Sequence, residues 1–337
     1  VYSAMHGVGA PWVKVALERA GYGEGLVMVP EQEAPDGRFP TVAFPNPEEP
    51  GALALSLALA ETEEADIILA NDPDADRLAV AVRDEAGVMR TLSGDQIGAL
   101  IGDQLLYRSG AQRADALVAC SIVSSTLLPR MAKEAGVQAA QTLTGFKWIA
   151  RAGLQHEARG GQFLFGYEEA IGFSLGPIVR DKDGVSAALC LCDMAAEAKG
   201  AGESLWSRLE AIYARFGVTL SALESWTLAG LEGAAQIRAL MAQLRATPPT
   251  ALAETVIERM EDLAEAEDEM RGDVLIFHLD GGGRIIARPS GTEPKIKFYF
   301  ETTCPRGEGE SENGPARRRA ADQLERWVQA WRQRYQP

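Results

Sequence analysis

Only four cysteines and three histidines occur in 337 residues. Cys120, Cys190, Cys192 and Cys304 form no Cys-x-x-Cys pair, and they have no metal-ligand spacing with His6, His156 and His278. That excludes a disulfide scaffold and a zinc site, and predicts a reducing, cytoplasmic setting. Long apolar runs are missing as well: no stretch approaches the ~20 residues of a membrane span. The N-terminus has no basic flank followed by an apolar segment. Basic residues are scarce, 33 Lys and Arg against 48 Asp and Glu, for a net charge of −15. Nucleic acid and anionic membrane are therefore not expected partners, because both need Lys/Arg fields. The chain starts on Val1 rather than Met and enters a strand-like run at once, which predicts a fragment or a processed product.

Strand-like and helix-like stretches alternate over the first two thirds. Val1 to Met5 reads as a strand, His6-Gly7-Val8-Gly9 as a turn, and Ala10 to Ala20 as a helix with Pro11 in its first turn. A strand over Leu26 to Val29 follows, then a Pro-rich loop from Pro30 to Pro50 and a helix over Ala52 to Glu61. Strands over Asp66 to Ala70, Leu78 to Arg83 and Val88 to Leu92 close a first α/β unit. Ser93 caps the next helix. Strands over Ala116 to Val123, Gln138 to Thr142 and Gln162 to Phe165 alternate with further helices, a loop spans Gly166 to Gly176, and a helix covers Gly184 to Lys199. From about Leu220 an Ala/Glu-rich helical tract precedes strands flanking Gly281-Gly282-Gly283, another strand over Ile296 to Glu301, and an amphipathic helix over Ala316 to Arg334. The expected fold is two consecutive layered α/β domains with mixed sheets, residues 1–92 and 93–218, followed by a smaller α+β domain, residues 219–337.

"NDPDADR" (71–77) gathers three carboxylates within five residues after an apolar strand. In extended backbone Asp72, Asp74 and Asp76 point to one side, and such a set needs a hard cation with oxygen ligands, Mg²⁺ first. A calcium loop starting at Asp72 fails, since Arg77 and Arg83 occupy the places of its Gly and Glu. A dinucleotide fingerprint at Gly7-Val8-Gly9 fails too, because Trp12 stands where its last glycine belongs. "RPSGTEPKIK" (288–297) lies between strands, and there Ser290, Gly291 and Thr292 offer amides and hydroxyls to an anion while Arg288 and Lys295 or Lys297 supply charge. "FGYEEAIGF" (165–173) mounts Glu168 and Glu169 in a glycine-flanked loop, where a carboxylate can accept hydrogen bonds from sugar hydroxyls. "TGFK" contributes Thr144, Gly145 and Lys147, and "RDKDG" contributes Arg180 and Lys182. A metal site, an anion cradle, further cations and a carboxylate loop together fit a phosphorylated sugar.

These residues resemble the α-D-phosphohexomutase superfamily, the phosphoglucomutase and phosphomannomutase group: "DPDADR", "TGFK", "GYEEAIG" and "RPSGTEPK" occur in the family's order. The resemblance implies four domains around one cleft, of which this chain is similar to the second, third and fourth. It also implies that Asp72, Asp74 and Asp76 bind Mg²⁺, that Arg77 lies beside the reacting phosphate and Lys182 close to the transferred group, and that Glu168 holds sugar hydroxyls. Arg288, Ser290, Gly291, Thr292 and Lys297 are implied to grip the phosphate that is not reacting. No Ser-His-Asn-Pro, the usual setting of the family's phosphorylated serine, occurs in the chain. Ala170 replaces the serine of the usual Glu-x-Ser sugar motif, and "GYEEAIG" resembles the phosphopentomutase-like branch.

The activity so implied is an intramolecular phosphotransfer between a hexose (or pentose) 1-phosphate and its 6- (or 5-) phosphate, through a phosphoserine and a sugar bisphosphate that also serves as activator. The serine domain of the same polypeptide is the missing partner. Lys182 is the expected base if its surroundings lower its pKa. A Mg²⁺-dependent sugar-phosphate phosphatase, with Asp72 as its nucleophile, and a non-catalytic sugar-phosphate binder are the alternatives.

Overall fold

The computed structural model describes residues 1–109, 115–228, 230–291 and 293–336. It divides into two compact units, Val1–Ile212 and Tyr213–Pro337.

The first unit contains two four-stranded sheets. In the first, β1 (Tyr2–Ser3) runs parallel to β2 (Ile67–Asn71), and β3 (Leu78–Arg83) and β4 (Met89–Thr91) add antiparallel strands in the order β1-β2-β3-β4. The helices between β1 and β2 are α1 (Ala10–Arg19), the single turn α2 (Pro30–Glu33) and α3 (Ala54–Thr62). Ala60, Ile68, Ala81 and Met89 join Val29 in a small core. The strand expected over Leu26 to Val29 is reduced to one bridge, Met28 to Tyr2. Its partner β1 is only two residues long before the backbone turns at Met5 and His6, whose φ values are 48° and 60°, so no ladder can extend.

The second sheet has the order β6-β5-β7-β8, built from β5 (Ala116–Ser121), β6 (Gln138–Thr142), β7 (Gln162–Glu168) and β8 (Gly172–Leu175). β5 is parallel to β6 and β7, and β8 returns antiparallel to β7. The loop expected over Gly166 to Gly176 is thus mostly a β-hairpin, with Glu168 at the end of a strand. α4 (Gly94–Asp103) starts with a capping box in which Ser93 Oγ accepts from the Gln96 amide and Gln96 Oε1 accepts from the Ser93 amide. It continues into a π-helical turn, Gln104–Arg108. α5 (Leu127–Glu134), α6 (Phe146–Glu157), α7 (Gly184–Gly200) and α8 (Leu205–Phe216) complete the helices of this part. α7 packs on α1, β2 and β3 as well as on β8, so one helix ties both sheets together.

The second unit is a six-stranded antiparallel sheet of order β10-β11-β12-β13-β14-β9: β9 (Val218–Thr227), β10 (Ala251–Leu252), β11 (Thr255–Asp262), β12 (Leu275–Leu279), β13 (Gly283–Pro289) and β14 (Lys295–Cys304). α9 (Gly230–Ala246) and α10 (Gly314–Tyr335) accompany it. The hairpin expected around the three glycines is β12–β13. The helical tract expected from Leu220 begins instead as β9, which pairs with β14 along its whole length. Its Ala and Glu content suggests helix, but its burial alternates with the two-residue period of a half-covered strand. α10 buries Ala316, Ala320, Leu324, Trp327, Trp331 and Tyr335 on one stripe.

Trp331 is fully buried, with its ring 5.6 Å from Phe277, 5.4 Å from Phe298 and 4.6 Å from Tyr335 between centroids. Trp331→Ala is expected to destabilise the C-terminal unit by about 3–5 kcal/mol, read from the denaturant midpoint. Trp331→Phe loses an indole N–H that has no hydrogen-bond partner among the described residues, and should cost clearly less. Equal losses for the two variants would contradict this account of the core.

Candidate active site

The acidic stretch is not extended. Ala75 donates its amide to the Asp72 carbonyl (2.9 Å) and has a φ of 61°, so residues 72–76 form a turn leaving β2. The carboxylates converge all the same: one oxygen from each of Asp72, Asp74 and Asp76 lies within 4.8 Å of the others. Asp72 is buried, at 3% exposure. Its Oδ1 accepts from the Arg77 amide (3.0 Å) and its Oδ2 from Arg77 Nε (2.7 Å). Burial, followed by the charges of Asp72 and Asp76, pushes the Asp74 carboxyl above the usual range, as expected of like charges held together. A hard divalent cation fits a donor set of this chemistry.

The turn is braced from below. Asn71 Nδ2 donates to the Arg77 carbonyl (2.6 Å), and Tyr2 donates its hydroxyl to Asn71 Oδ1 (2.8 Å). Val8, in the His6–Gly9 turn, donates its amide to the Pro73 carbonyl (2.8 Å), which gives that glycine-rich turn a structural task. From the other side Gly184, at the start of α7, donates to the Ala75 carbonyl (3.1 Å). A methyl group on Gly184 would lie 2.2 Å from Asn71 Nδ2 and 2.6 Å from the Arg77 carbonyl oxygen, so only glycine allows this approach.

Three of the sequence motifs meet at Lys182. Its Nζ lies 2.9 Å from Asp76 Oδ2 and 3.0 Å from Asp181 Oδ1. It also sits 5.8 Å from the Phe146 ring centroid, while a methyl on Gly172 would press on its side chain at 2.6 Å. Burial lowers the Lys182 ammonium pKa, but the hydrogen bonds and charges of Asp76 and Asp181 outweigh it and the net shift is upward. The expectation of a lysine depressed enough to act as a base is therefore corrected: its carboxylate neighbours keep it a cation.

The hairpin turn is fixed to the acidic turn by backbone. Leu78 donates its amide to the Ile171 carbonyl (3.0 Å), and Arg77 bridges Gly172. Glu168 Oε1 accepts the Gly145 amide (2.7 Å), which joins "TGFK" to the same place. Thr144 is half-buried beside it, and Lys147 is exposed with its ammonium 5.3 Å from the Trp148 ring. Glu169 turns inward, hydrogen-bonded by Ser121. Arg180 is committed elsewhere, paired with Glu157 on α6 at 2.6 Å.

In the second unit Arg288 and Lys297 are direct cross-strand neighbours on β13 and β14. Neither forms an ion pair among the described residues. Ser290 donates its amide to the Lys295 carbonyl (2.7 Å), closing the turn, and Gly291 is exposed at its tip. Thr292 lies outside the described residues.

Sequence reasoning missed Asn46 and Glu48, which reach Arg77 Nη1 at 3.4 and 3.6 Å from the Pro-rich loop. The available signal was the length of that loop, since connections of such length in compact domains are commonly binding elements.

The family model described as phosphoglucomutase/phosphomannomutase, alpha/beta/alpha domain II, matches residues 1–87; alpha/beta/alpha domain III of that family matches 93–216, and its C-terminal domain 240–311. A probable phosphomannomutase of Haemophilus influenzae is 43% identical over 303 residues, covering 89% of this chain and 59% of its own. Human phosphopentomutase is 37% identical over 340 residues, covering 93% and 54%. A phosphoglucomutase of Staphylococcus aureus is 35% identical over 317 residues, covering 90% and 57%. The chain thus spans just over half the length of these relatives. Among solved structures, a putative phosphomannomutase from Thermus thermophilus superposes with a TM-score of 0.65 at 20% identity, over 98% of this chain and 59% of that one. The Paramecium phosphoglucomutase parafusin gives 0.67 at 20% identity, over 98% and 57%; at this identity the likeness is one of fold. No described helix is long and apolar enough to cross a membrane. By its three consecutive family domains and its relatives, the chain belongs to the α-D-phosphohexomutase superfamily.

Proposed function

We propose that the protein containing this chain moves a phosphoryl group between C1 and the terminal hydroxyl of an aldose, hexose or pentose, through a phosphoserine and a sugar bisphosphate, with the bisphosphate as activator. In this reading residues 1–92, 93–218 and 219–337 are three domains of the enzyme, and the phosphoserine belongs to a part of the polypeptide outside them. The observation that carries the proposal is the meeting of the acidic turn, "TGFK", the "GYEEAIG" hairpin and Lys182 within one unit.

Asp72, Asp74 and Asp76 would hold Mg²⁺. When bound there, the ion supplies charge neutralisation for a phosphoryl group in transfer. Arg77, oriented by Asp72, and Lys182, oriented by Asp76, place two further cations at this turn, where they stabilise the negative charge of the transferring group. Glu168, held by the Gly145 amide, presents a carboxylate to sugar hydroxyls, with Thr144, Gly145 and Lys147 beside it. In the other unit Arg288, Ser290, Gly291, Thr292 and Lys297 take the phosphate that is not being transferred. The phosphatase reading is less favoured because both oxygens of Asp72 accept hydrogen bonds from Arg77, which leaves a poor nucleophile.

Three outcomes test the proposal. Mg²⁺ at a hundred times its dissociation constant should stabilise the chain by about 2.7 kcal/mol, a gain reversed by EDTA and absent in Asp76→Asn. Asp74→Asn in the full-length polypeptide should lower kcat by about 100-fold or more, corresponding to a few kcal/mol of lost charge stabilisation; near-normal turnover with glucose, mannose, glucosamine or ribose phosphates would refute the assignment. Arg288→Ala should raise KM for the sugar phosphate by about 10- to 100-fold, the worth of a charged hydrogen bond, with Mg²⁺ affinity unchanged. An unaltered KM would remove the cradle from the binding site.

A further inference from the structure

Under the β7–β8 turn lies a polar cluster that the proposed chemistry does not use. Glu169 Oε2 accepts from Ser121 Oγ (3.0 Å) and Ser124 Oγ (3.3 Å), and the Glu169 amide donates to Ser124 Oγ (3.0 Å). Both serines are fully buried. The backbone of the same residue is pressed against the start of α4: a methyl on Gly94 would lie 2.1 Å from the Glu169 carbonyl oxygen. On α4, Asp95 Oδ1 accepts from the Tyr167 hydroxyl (2.9 Å) and the Ser125 amide (2.6 Å), so β7, α4 and the β5–α5 turn are laced together around this point. Adjacent residues at a strand end project to opposite sides. With Glu169 drawn inward, Glu168 is turned the other way, where it accepts the Gly145 amide.

We propose that Glu169 is a positioning residue, an anchor between the Ser121 and Ser124 hydroxyls that fixes the hairpin so that Glu168 is presented to the hydroxyls of the sugar. This deepens the mutase reading and rests on it for the identity of the ligand. The titratable groups facing Glu169 are carboxylates, Asp95 from α4 and Glu168 from β7, and the β5–α5 turn contributes only hydroxyls. Burial first, and then those two charges, push the Glu169 carboxyl up to about 7. Because the folded value is raised, the fold favours the protonated form. The anchor is complete below the ordinary glutamate range and weakens as pH rises through about 7.

Amide exchange of Gly145 reads the placement of Glu168 directly. Protection of that amide, corrected for intrinsic exchange, is expected to fall by about tenfold between pH 6 and 8 in the wild type, to stay flat in Glu169→Gln, and to be low at both pH values in Glu169→Ala. Glucose 1-phosphate or ribose 1-phosphate should bind Glu169→Ala about tenfold more weakly by calorimetry, with Mg²⁺ affinity unchanged. Wild-type protection and affinity in Glu169→Ala would overturn the proposal, as would a wild-type pH profile as flat as that of Glu169→Gln. If the wild type binds neither sugar phosphate, it is the mutase reading that fails, while loss of Gly145 protection in Glu169→Ala still upholds the anchor.

Discussion

Three carboxylates held within 4.8 Å of one another set the terms for everything around them. Two unit charges about 4 Å apart repel by about 4 kcal/mol at an effective dielectric of about 20, so the turn cannot persist by local preference. Two devices hold it. Arg77 and Lys182 each neutralise one end of the cluster, through Asp72 and Asp76 respectively. Asn71, itself held by the Tyr2 hydroxyl, and Gly184 grip its backbone. Asp74 has neither kind of ion-pair partner among the described residues, and it is the one whose carboxyl is pushed up. The residual charge of the cluster therefore collects at the exposed middle residue, where a cation from solvent can reach it.

The same constraint explains why two sheets behave as one unit. Gly184 can approach the acidic turn only because α7 lies across β2 and β3, and α7 follows directly from the segment carrying Lys182. The amide of Leu78 and the carbonyl of Ile171 then join the strand after the turn to the hairpin of the other sheet. Moving the hairpin would break the Arg77–Gly172 bridge and shift the Asp76–Lys182 pair together. The acidic turn and the Glu168 hairpin are thus coupled through backbone rather than through flexible side chains, as the proposed orientation of two reacting groups requires.

Much of this was legible in the sequence. Apolar runs gave β2, β3 and β5, and Ser93 marked the start of α4. The acidic triplet and the Arg288–Lys297 turn stood out because their residue types are costly without a ligand. Other parts were not legible, each for a physical reason. β9 reads as helix because Ala, Leu and Glu favour helices, yet its long ladder with β14 overrides propensity. The hairpin at Gly166–Leu175 reads as loop because its glycines are needed for close packing rather than for flexibility. Asp72–Asp76 is not extended as expected: a left-handed Ala75 produces the convergence of carboxylates that period-two alternation was expected to supply. The state of Lys182 could not be read at all, since it depends on Asp76, more than a hundred residues away in the chain.

β13 and β14 show in one hairpin how charge placement separates structure from binding. At one end Arg284 faces Glu301, both buried, with Nε and Oε1 3.3 Å apart. Four residues along the same strand Arg288 faces Lys297, and like charges directly opposite cost roughly 0.2–1 kcal/mol on an antiparallel sheet. The pairing machinery is identical at both positions, so the strands could accommodate an opposite-charge pair at either. At the end next to the Ser290–Gly291 turn they carry an unneutralised cation pair instead. A permanent acidic partner there would fill the place of an exchangeable anion; with no such ion pair among the described residues, the two side chains keep donors for an anion, the role proposed for this end of the hairpin.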